Sequence, residues 1–141
     1  MGEKSFETGI STEVADSLVS ATRTSLGDSL RSVVYFTLSG FDVLYVRQDL
    51  YDSETATRRA KSQLVEFERT GFAEKPARTL IAQQGGGSDI GSYRFTVRFH
   101  DHGFVVRILG DDDGVLFTAD TMDVRAFEEA VSAIEGLFTE T

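Results

Sequence analysis

The chain has 141 residues, the length of one ordinary domain, and 40% of them are hydrophobic, which argues against intrinsic disorder. Its 23 acidic and 14 basic residues give a net charge of −9, which argues against a broad nucleic-acid-binding surface because phosphates need a basic patch. The sequence has no cysteine and no apolar run near the ~20 residues of a membrane helix, so we expect no disulfide, no thiolate site and no membrane partner.

The first predicted element is a helix. Residues 1–10 are polar and lack the apolar stretch of a signal peptide, so we predict a flexible N-terminus and a cytoplasmic protein. Ser11 or Thr12 then provides an N-cap, and Gly27 favours a left-handed stop. The apolar residues between them have helical spacing and are Val14, Leu18, Ala21 and Leu26. Strands at residues 31–38 and 41–47 follow, joined by a turn as in a hairpin.

A second helix is predicted between a cap at Asp52 or Ser53 and a stop at Gly71. Its apolar stripe consists of Ala56, Ala60, Leu64 and Phe67. The next segment, residues 72–91, contains the single proline of the chain, Pro76, and three consecutive glycines at 85–87. We therefore predict that it is rich in loops, with a short helix or strand around residues 79–82.

Three strands and a helix complete the chain. Residues 93–100 alternate between apolar and polar, and turns lead from them into strands at 104–109 and 115–119. A final helix follows a cap at Asp123, with its apolar side chains at Val124, Phe127, Val131, Ile134 and Phe138. The order α-β-β-α-β-β-β-α predicts a single α+β domain over residues 11–138, in which helices pack on a five-stranded antiparallel sheet.

Two resemblances add to this prediction. Residues 43–51 (VLYVRQDLY), the helix start at 52–54 and the hairpin at 93–105 resemble a family of small haloarchaeal proteins with no established activity. The element order resembles the roadblock family of small dimeric scaffolds and, more loosely, profilin-like and sensor folds. The second resemblance implies a roadblock-like fold and a homodimer, although the long segment 72–91 departs from the compact roadblock pattern.

The first resemblance also favours a halophilic protein, and so does the composition, since only three of the 14 basic residues are lysines. We therefore expect the thermal midpoint to rise between ~0.1 and ~2 M potassium chloride. Clustered carboxylates such as those of residues 111–113 repel one another over a screening length of about 30 Å at ~0.01 M salt, which falls to about 3 Å at ~1 M. Thermal unfolding followed by circular dichroism measures this, and a flat midpoint would contradict the halophilic interpretation.

Three motifs could bind a ligand, and each also has a structural explanation. His100, Asp101 and His102 could begin a metal site, yet a polar hairpin tip explains them without a further histidine or cysteine. Residues 111–114 (DDDG) lack the alternating acids and closing glutamate of a calcium loop, so we predict a turn. The glycines at 85–87 lack the lysine of a phosphate-binding loop, so we predict a linker.

No catalytic group stands out. The Gly-x-Ser-x-Gly motif is missing, and in so acidic a chain no carboxylate pair can be singled out for acid–base work. Aromatic side chains interleaved with Arg94 and Arg98 could stack on nucleic acid, but the net charge favours a core role. These aromatic residues are Tyr35, Phe36, Phe95, Phe99 and Phe104. We predict no enzyme, no cofactor and no metal.

Positive charge is concentrated in one part of the chain. Residues 58–78 contain six basic side chains against three acids, whereas residues 101–141 contain ten acids against two basic side chains. On the second helix Arg58, Lys61 and Arg69 are predicted to share a face. This face is either a solvated surface, balanced by pairing of Glu54 with Arg58, or a docking face for an acidic partner or a second subunit.

The sequence therefore predicts a non-enzymatic regulatory or scaffold module that acts through protein–protein contacts as a homodimer. An alternative is a small-molecule-sensing domain with a pocket between the sheet and segment 72–91. An enzyme of unknown type is the second alternative.

Overall fold

The computed structural model describes residues 6–83 and 90–139. Its first half comprises α1 (Thr12–Leu26), a 3₁₀ turn (Gly27–Ser29), β1 (Leu30–Thr37), β2 (Phe41–Val46) and α2 (Glu54–Arg69). Its second half comprises a 3₁₀ turn (Thr70–Glu74), α3 (Lys75–Gln83), β3 (Thr96–His100), β4 (Gly103–Leu109), β5 (Asp113–Ala119) and α4 (Val124–Thr139).

The five strands form one antiparallel sheet in the order β2-β1-β5-β4-β3. Hairpins connect β1 to β2, β3 to β4 and β4 to β5, so only the pairing of β1 with β5 joins distant parts of the chain. Strands β2 and β3 are the two edges. This arrangement confirms the predicted α+β class and the five-stranded antiparallel sheet.

Strand alternation divides the apolar side chains between the two faces of the sheet. Val33 and Phe117 point to the face covered by α1 and α4, where Leu18 and Phe127 complete the core. The side chains that point to the α2 face form a second core with Val65, and they include Val34, Phe36, Phe41, Val105 and Leu116. The sheet is therefore sandwiched between two helical layers.

The local signals at the ends of α1 and α4 are confirmed. The Ser11 hydroxyl accepts a hydrogen bond from the Val14 amide at 3.1 Å, which satisfies a free N–H of the first turn. At the other end of α1, Gly27 has a φ of 59°, which favours glycine. The Asp123 carboxylate caps α4 by accepting from the Ala126 amide at 3.1 Å.

Segment 72–91 contains the short helix expected around residues 79–82, but that helix is longer. The chain forms α3 over Lys75–Gln83, so a helix replaces the loop expected over residues 75–78. Pro76 lies in the first turn of α3, where its missing N–H costs no helical hydrogen bond. Arg78 Nη1 also donates to the Gly71 carbonyl at 2.7 Å and ties α3 to the preceding turn. The linker predicted at residues 85–87 lies outside the described residues.

The structure describes residues 6–10 of the predicted flexible N-terminus, and they contact β2. The Glu7 and Thr8 amides donate to the two carboxylate oxygens of Asp42 at 2.9 and 2.8 Å, which ties this segment to β2. Glu7 also forms an ion pair with Arg58 of α2. Residues 1–5 lie outside the described part of the chain.

Candidate functional site

The face of α2 that packs on the sheet differs from the predicted apolar stripe. The buried residues of α2 are Lys61, Val65 and Glu68. Ala56 is exposed, and Phe67 keeps 49% of its surface exposed. The helix is thus rotated so that Lys61 and Glu68 face the sheet. The arginine partners of Glu68 lie on that side, and a cavity lies beside Lys61.

The predicted docking residues Arg58, Lys61 and Arg69 do not form one exposed face. Lys61 is only 2% exposed. The Arg69 Nε donates to the Thr37 carbonyl at 2.9 Å, and its side chain also pairs with Glu66. Reversing these charges would therefore disturb the fold before it disturbed an interface.

Other charges of the basic segment are neutralised within the chain. The Arg58 guanidinium lies 4.1 Å from the centre of the Phe41 ring and pairs with Glu7, not with the predicted Glu54. Lys75 pairs with Asp111 at 3.4 Å, and an i,i+4 pair links Arg78 to Glu74 at 3.7 Å. Less positive charge is thus free for an acidic partner than the sequence predicts.

Glu68 is the centre of a buried charge cluster that also contains Glu74, Arg98 and Arg107. Its Oε2 accepts from Arg98 Nε at 2.7 Å, and its Oε1 accepts from Arg107 Nη1 at 3.3 Å. Arg107 Nη2 reaches Glu74 Oε1 at 3.2 Å. Glu68 and Arg107 are almost fully buried, so each neutralises a charge that water cannot reach.

Arg107 is held by more than its acids. Its Nη2 donates to the Thr96 hydroxyl at 3.0 Å and to the Tyr93 hydroxyl at 3.3 Å. β3 starts at Thr96 and not at the predicted residue 93, so Tyr93 lies before the strand. Burial works to lower the pKa of Arg107, but Tyr93, Glu68 and Glu74 together raise it, so the guanidinium stays charged.

Gly71 makes room for this guanidinium. A Cβ at that position would clash with Arg107 Nη1, so any side chain would displace the arginine. The sequence identified Gly71 only as a helix stop. With its charges paired, the Glu68 cluster has no free acid or base, and it fixes α2 against β3 and β4.

A partly apolar surface lies beside the cluster at the β3 edge. Phe99 is 74% exposed and contacts Phe104 with a ring-centre distance of 4.9 Å. On the other side of the strand, the Arg98 guanidinium lies 4.5 Å from the centre of the Phe67 ring. We refer to Phe67, Arg98 and Phe99 as the β3 edge surface. Phe99 is thus exposed, whereas the other aromatic residues predicted in the core do pack in the core. Phe36 is fully buried, and Tyr35, Phe95 and Phe104 are partly buried.

A cavity of about 310 Å³ lies between α2, β1 and the β3–β4 turn. We call it the Lys61 cavity. The Lys61 ammonium lies 5.5 Å from the centre of the Tyr51 ring and has no hydrogen bond or ion pair with any residue of 6–83 or 90–139. Burial and the nearby charge of Arg31 lower the pKa of Lys61 to about 8. The other titratable side chains of the lining are His100, Asp101 and His102.

The counter-charge nearest to Arg31 is shared with another arginine. Asp120 Oδ1 accepts from Arg31 Nη1 at 3.0 Å, and Asp120 Oδ2 accepts from Arg47 Nη1 at 2.5 Å. These hydrogen bonds, that of Arg47 first, lower the pKa of Asp120. Asp120 is therefore committed to two guanidinium groups, and it does not compensate Lys61.

The remaining predicted motifs occupy turns. In the described part of the chain, no group of three histidine, aspartate or glutamate side chains could hold a metal ion. Asp113 accepts from the Tyr35 hydroxyl at 2.6 Å, and its carbonyl accepts from the Gly110 amide at 2.7 Å. The turn therefore spans residues 110–113, one residue earlier than the predicted 111–114, and Gly114 lies in β5. Burial, followed by this bond to Asp113, raises the pKa of Tyr35. No helix among the described residues is long and apolar enough to cross a membrane.

Comparisons with known proteins bear on the fold. The sequence model of a family described as a domain of unknown function, DUF7522, matches residues 16–139. No curated protein is significantly similar to the chain in sequence. Among solved structures, the gliding protein MglB from Thermus thermophilus is similar, with a TM-score of 0.54 and 16% identity over 92% of this chain and 91% of that chain. At this identity the similarity shows the fold alone, and it supports the predicted roadblock-like architecture.

Proposed function

This chain belongs to the family described as a domain of unknown function, DUF7522, and from that premise and its fold we propose that it is a non-enzymatic regulatory or scaffold module. It acts through protein–protein contacts and forms a homodimer through the β3 edge surface. The main support is that edge itself, where two exposed aromatic side chains flank a strand that pairs on one side only.

An edge strand presents a row of free N–H and C=O groups, which favours pairing with another strand unless the edge is blunted. β3 is short, but no proline interrupts it, and its exposed aromatic residue Phe99 points to one face of the sheet, while Phe67 of α2 lies on the other face. Aromatic side chains and arginine are enriched at protein interfaces, and Arg98 stacks on the Phe67 ring. Antiparallel pairing of β3 with its copy would join two sheets and bury both aromatic residues in each subunit.

The opposite edge of the sheet is less suited to this pairing. The chain at Glu7 and Thr8 is hydrogen-bonded to the Asp42 side chain at the start of β2. This contact places an irregular segment beside β2, where a second sheet would have to approach. The β3 edge is therefore the better candidate.

Replacing Phe67 and Phe99 together with glutamate is expected to convert the dimer into a monomer, because the two subunits would then bring carboxylates together on each face of the joined sheet. Analytical ultracentrifugation at micromolar concentration in high salt measures the change. Phe99 is largely exposed and Phe67 is half-exposed, so the far-ultraviolet circular dichroism spectrum should stay that of the wild type. The matched control is Leu38→Glu, since Leu38 is 64% exposed at the turn between β1 and β2 and should leave the dimer intact.

A wild-type protein that sediments as a monomer under these conditions would contradict the proposed dimer. A double variant that stays dimeric while Leu38→Glu dissociates would instead place the interface at the β2 edge.

Small-molecule sensing is the second candidate, and a cavity beside α3 supports it. It has a volume of about 580 Å³, within the usual range for ligand pockets, and lies between α3, residues 90–94 and the β4–β5 turn. Its polar lining includes Lys75, Arg78, Tyr93, Arg94 and Asp111. A small molecule retained through purification and identified by mass spectrometry would favour this function.

A further inference from the structure

Lys61 is a buried cation without a counter-charge among the residues that the structure describes. Its side chain is 2% exposed, and no described residue pairs with its ammonium group. Burying an unpaired ammonium is strongly unfavourable, and proteins normally pair such a group or leave it in water. An uncompensated lysine that lines a cavity therefore indicates that the compensating charge comes from a bound anion.

The lining of the Lys61 cavity supplies further donors from different elements. Arg31 of β1 contributes a second cation. Its aliphatic side chain passes close to Gly103, since a Cβ added at that glycine would lie 3.3 Å from Arg31 Cδ. His100 and His102 come from the β3–β4 turn, and Tyr51 comes from the loop before α2. Each of these side chains carries an N–H or O–H group that can donate a hydrogen bond.

Asp101 is the one carboxylate among the described residues that line the cavity, and it forms no ion pair with Lys61. Arg31 already pairs with Asp120, so Lys61 is the cation of the described lining that has no carboxylate partner. The whole chain has a net charge of −9, however, and this charge would repel an extended polyanion over a wide area. A small anion meets only the local positive field inside the cavity.

We propose that the Lys61 cavity binds a phosphate group, either inorganic phosphate or that of a small phosphomonoester, between Lys61 and Arg31. A phosphate offers three or more acceptor oxygens in a tetrahedral arrangement, which suits donors that converge from three elements better than the two coplanar oxygens of a carboxylate do. The lysine supplies a point charge and the arginine a planar pair of donors. The cavity, at about 310 Å³, also has room for a small organic substituent.

This inference does not depend on self-association, because it concerns a cavity within one chain. Equilibrium dialysis with radiolabelled inorganic phosphate and, separately, glycerol phosphate tests it at constant potassium chloride concentration. We expect saturable binding of one phosphate per chain to the wild type. Lys61→Met should weaken binding by at least about tenfold, because it removes the central charge and keeps the apolar stem.

The matched control is Arg59→Met, which removes an exposed positive charge of the same helix outside both cavities and should bind phosphate as the wild type does. Tighter binding of glycerol phosphate than of inorganic phosphate assigns the cavity to a phosphomonoester, and equal binding assigns it to the free ion. The proposal is overturned if the wild type shows no saturable binding at millimolar phosphate, or if Lys61→Met binds as tightly as the wild type.

Circular dichroism checks that the variants fold. If Lys61→Met does not fold, Lys61→Gln replaces it, and the wild type is also measured at about pH 7 and about pH 10. Binding should be lost at the higher pH as the Lys61 ammonium loses its proton, and undiminished binding there would overturn the proposal.

Discussion

Replacing Glu68 with leucine is expected to lower the free energy of unfolding by about 3 kcal/mol, because it removes the carboxylate that neutralises the buried Arg107 guanidinium. Glu74 remains as an exposed partner of Arg107, and Arg98 is partly exposed. We therefore expect a loss of stability at the lower end of the range for breaking a buried ion pair. Urea denaturation at fixed salt measures it, since guanidinium chloride would itself change the ionic screening.

Glu66→Leu is the matched control, because Glu66 lies on the same helix and pairs with an arginine at the surface. Its loss should be below about 0.5 kcal/mol. The double variant Glu68→Leu/Arg107→Met should recover much of the stability, since an apolar pair often replaces a buried ion pair without cost. A Glu68→Leu protein as stable as the wild type would show that the cluster does not hold α2 on the sheet.

Replacing Lys61 with methionine is expected to have the opposite effect and to stabilise the protein by about 3 kcal/mol near neutral pH. The folded-state pKa of Lys61 is about 8, below the ordinary value of 10.5. Between these two values the unfolded chain binds more protons than the folded chain, so the stability of the wild type rises with pH across this window. Below pH 8 the full cost of the buried charge is present, and near pH 10.5 the advantage of the variant should disappear.

The measurement is the difference in unfolding free energy between the two proteins as a function of pH, in buffers without phosphate. The other titratable groups of the lining are present in both proteins, so the difference isolates Lys61; they are Arg31, Tyr51, His100, Asp101 and His102. Lys75→Met should show only a small difference near neutral pH, because Lys75 is exposed. A Lys61→Met protein less stable than the wild type near neutral pH would argue that Lys61 is a structural residue.

The sequence by itself determined the elements whose signals are local. The caps at Ser11 and Asp123 and the stop at Gly27 set the ends of α1 and α4, because each acts within a few residues along the chain. Alternation and turn dipeptides located the five strands, and short hairpins then fixed most of their neighbours. Side-chain periodicity and turn chemistry are properties of neighbouring residues, so the sequence shows them directly.

The rotation of α2 was decided by the tertiary structure. Helical spacing favoured Phe67 and the small apolar residues as the inner face, yet Glu68 lies inside because Arg107, 39 residues further along the chain, neutralises it there. Lys61 lies inside beside a cavity whose walls come from β1 and the β3–β4 turn. A charged residue has no fixed preference for the surface once a partner exists, and partners so distant in sequence are brought together only by folding.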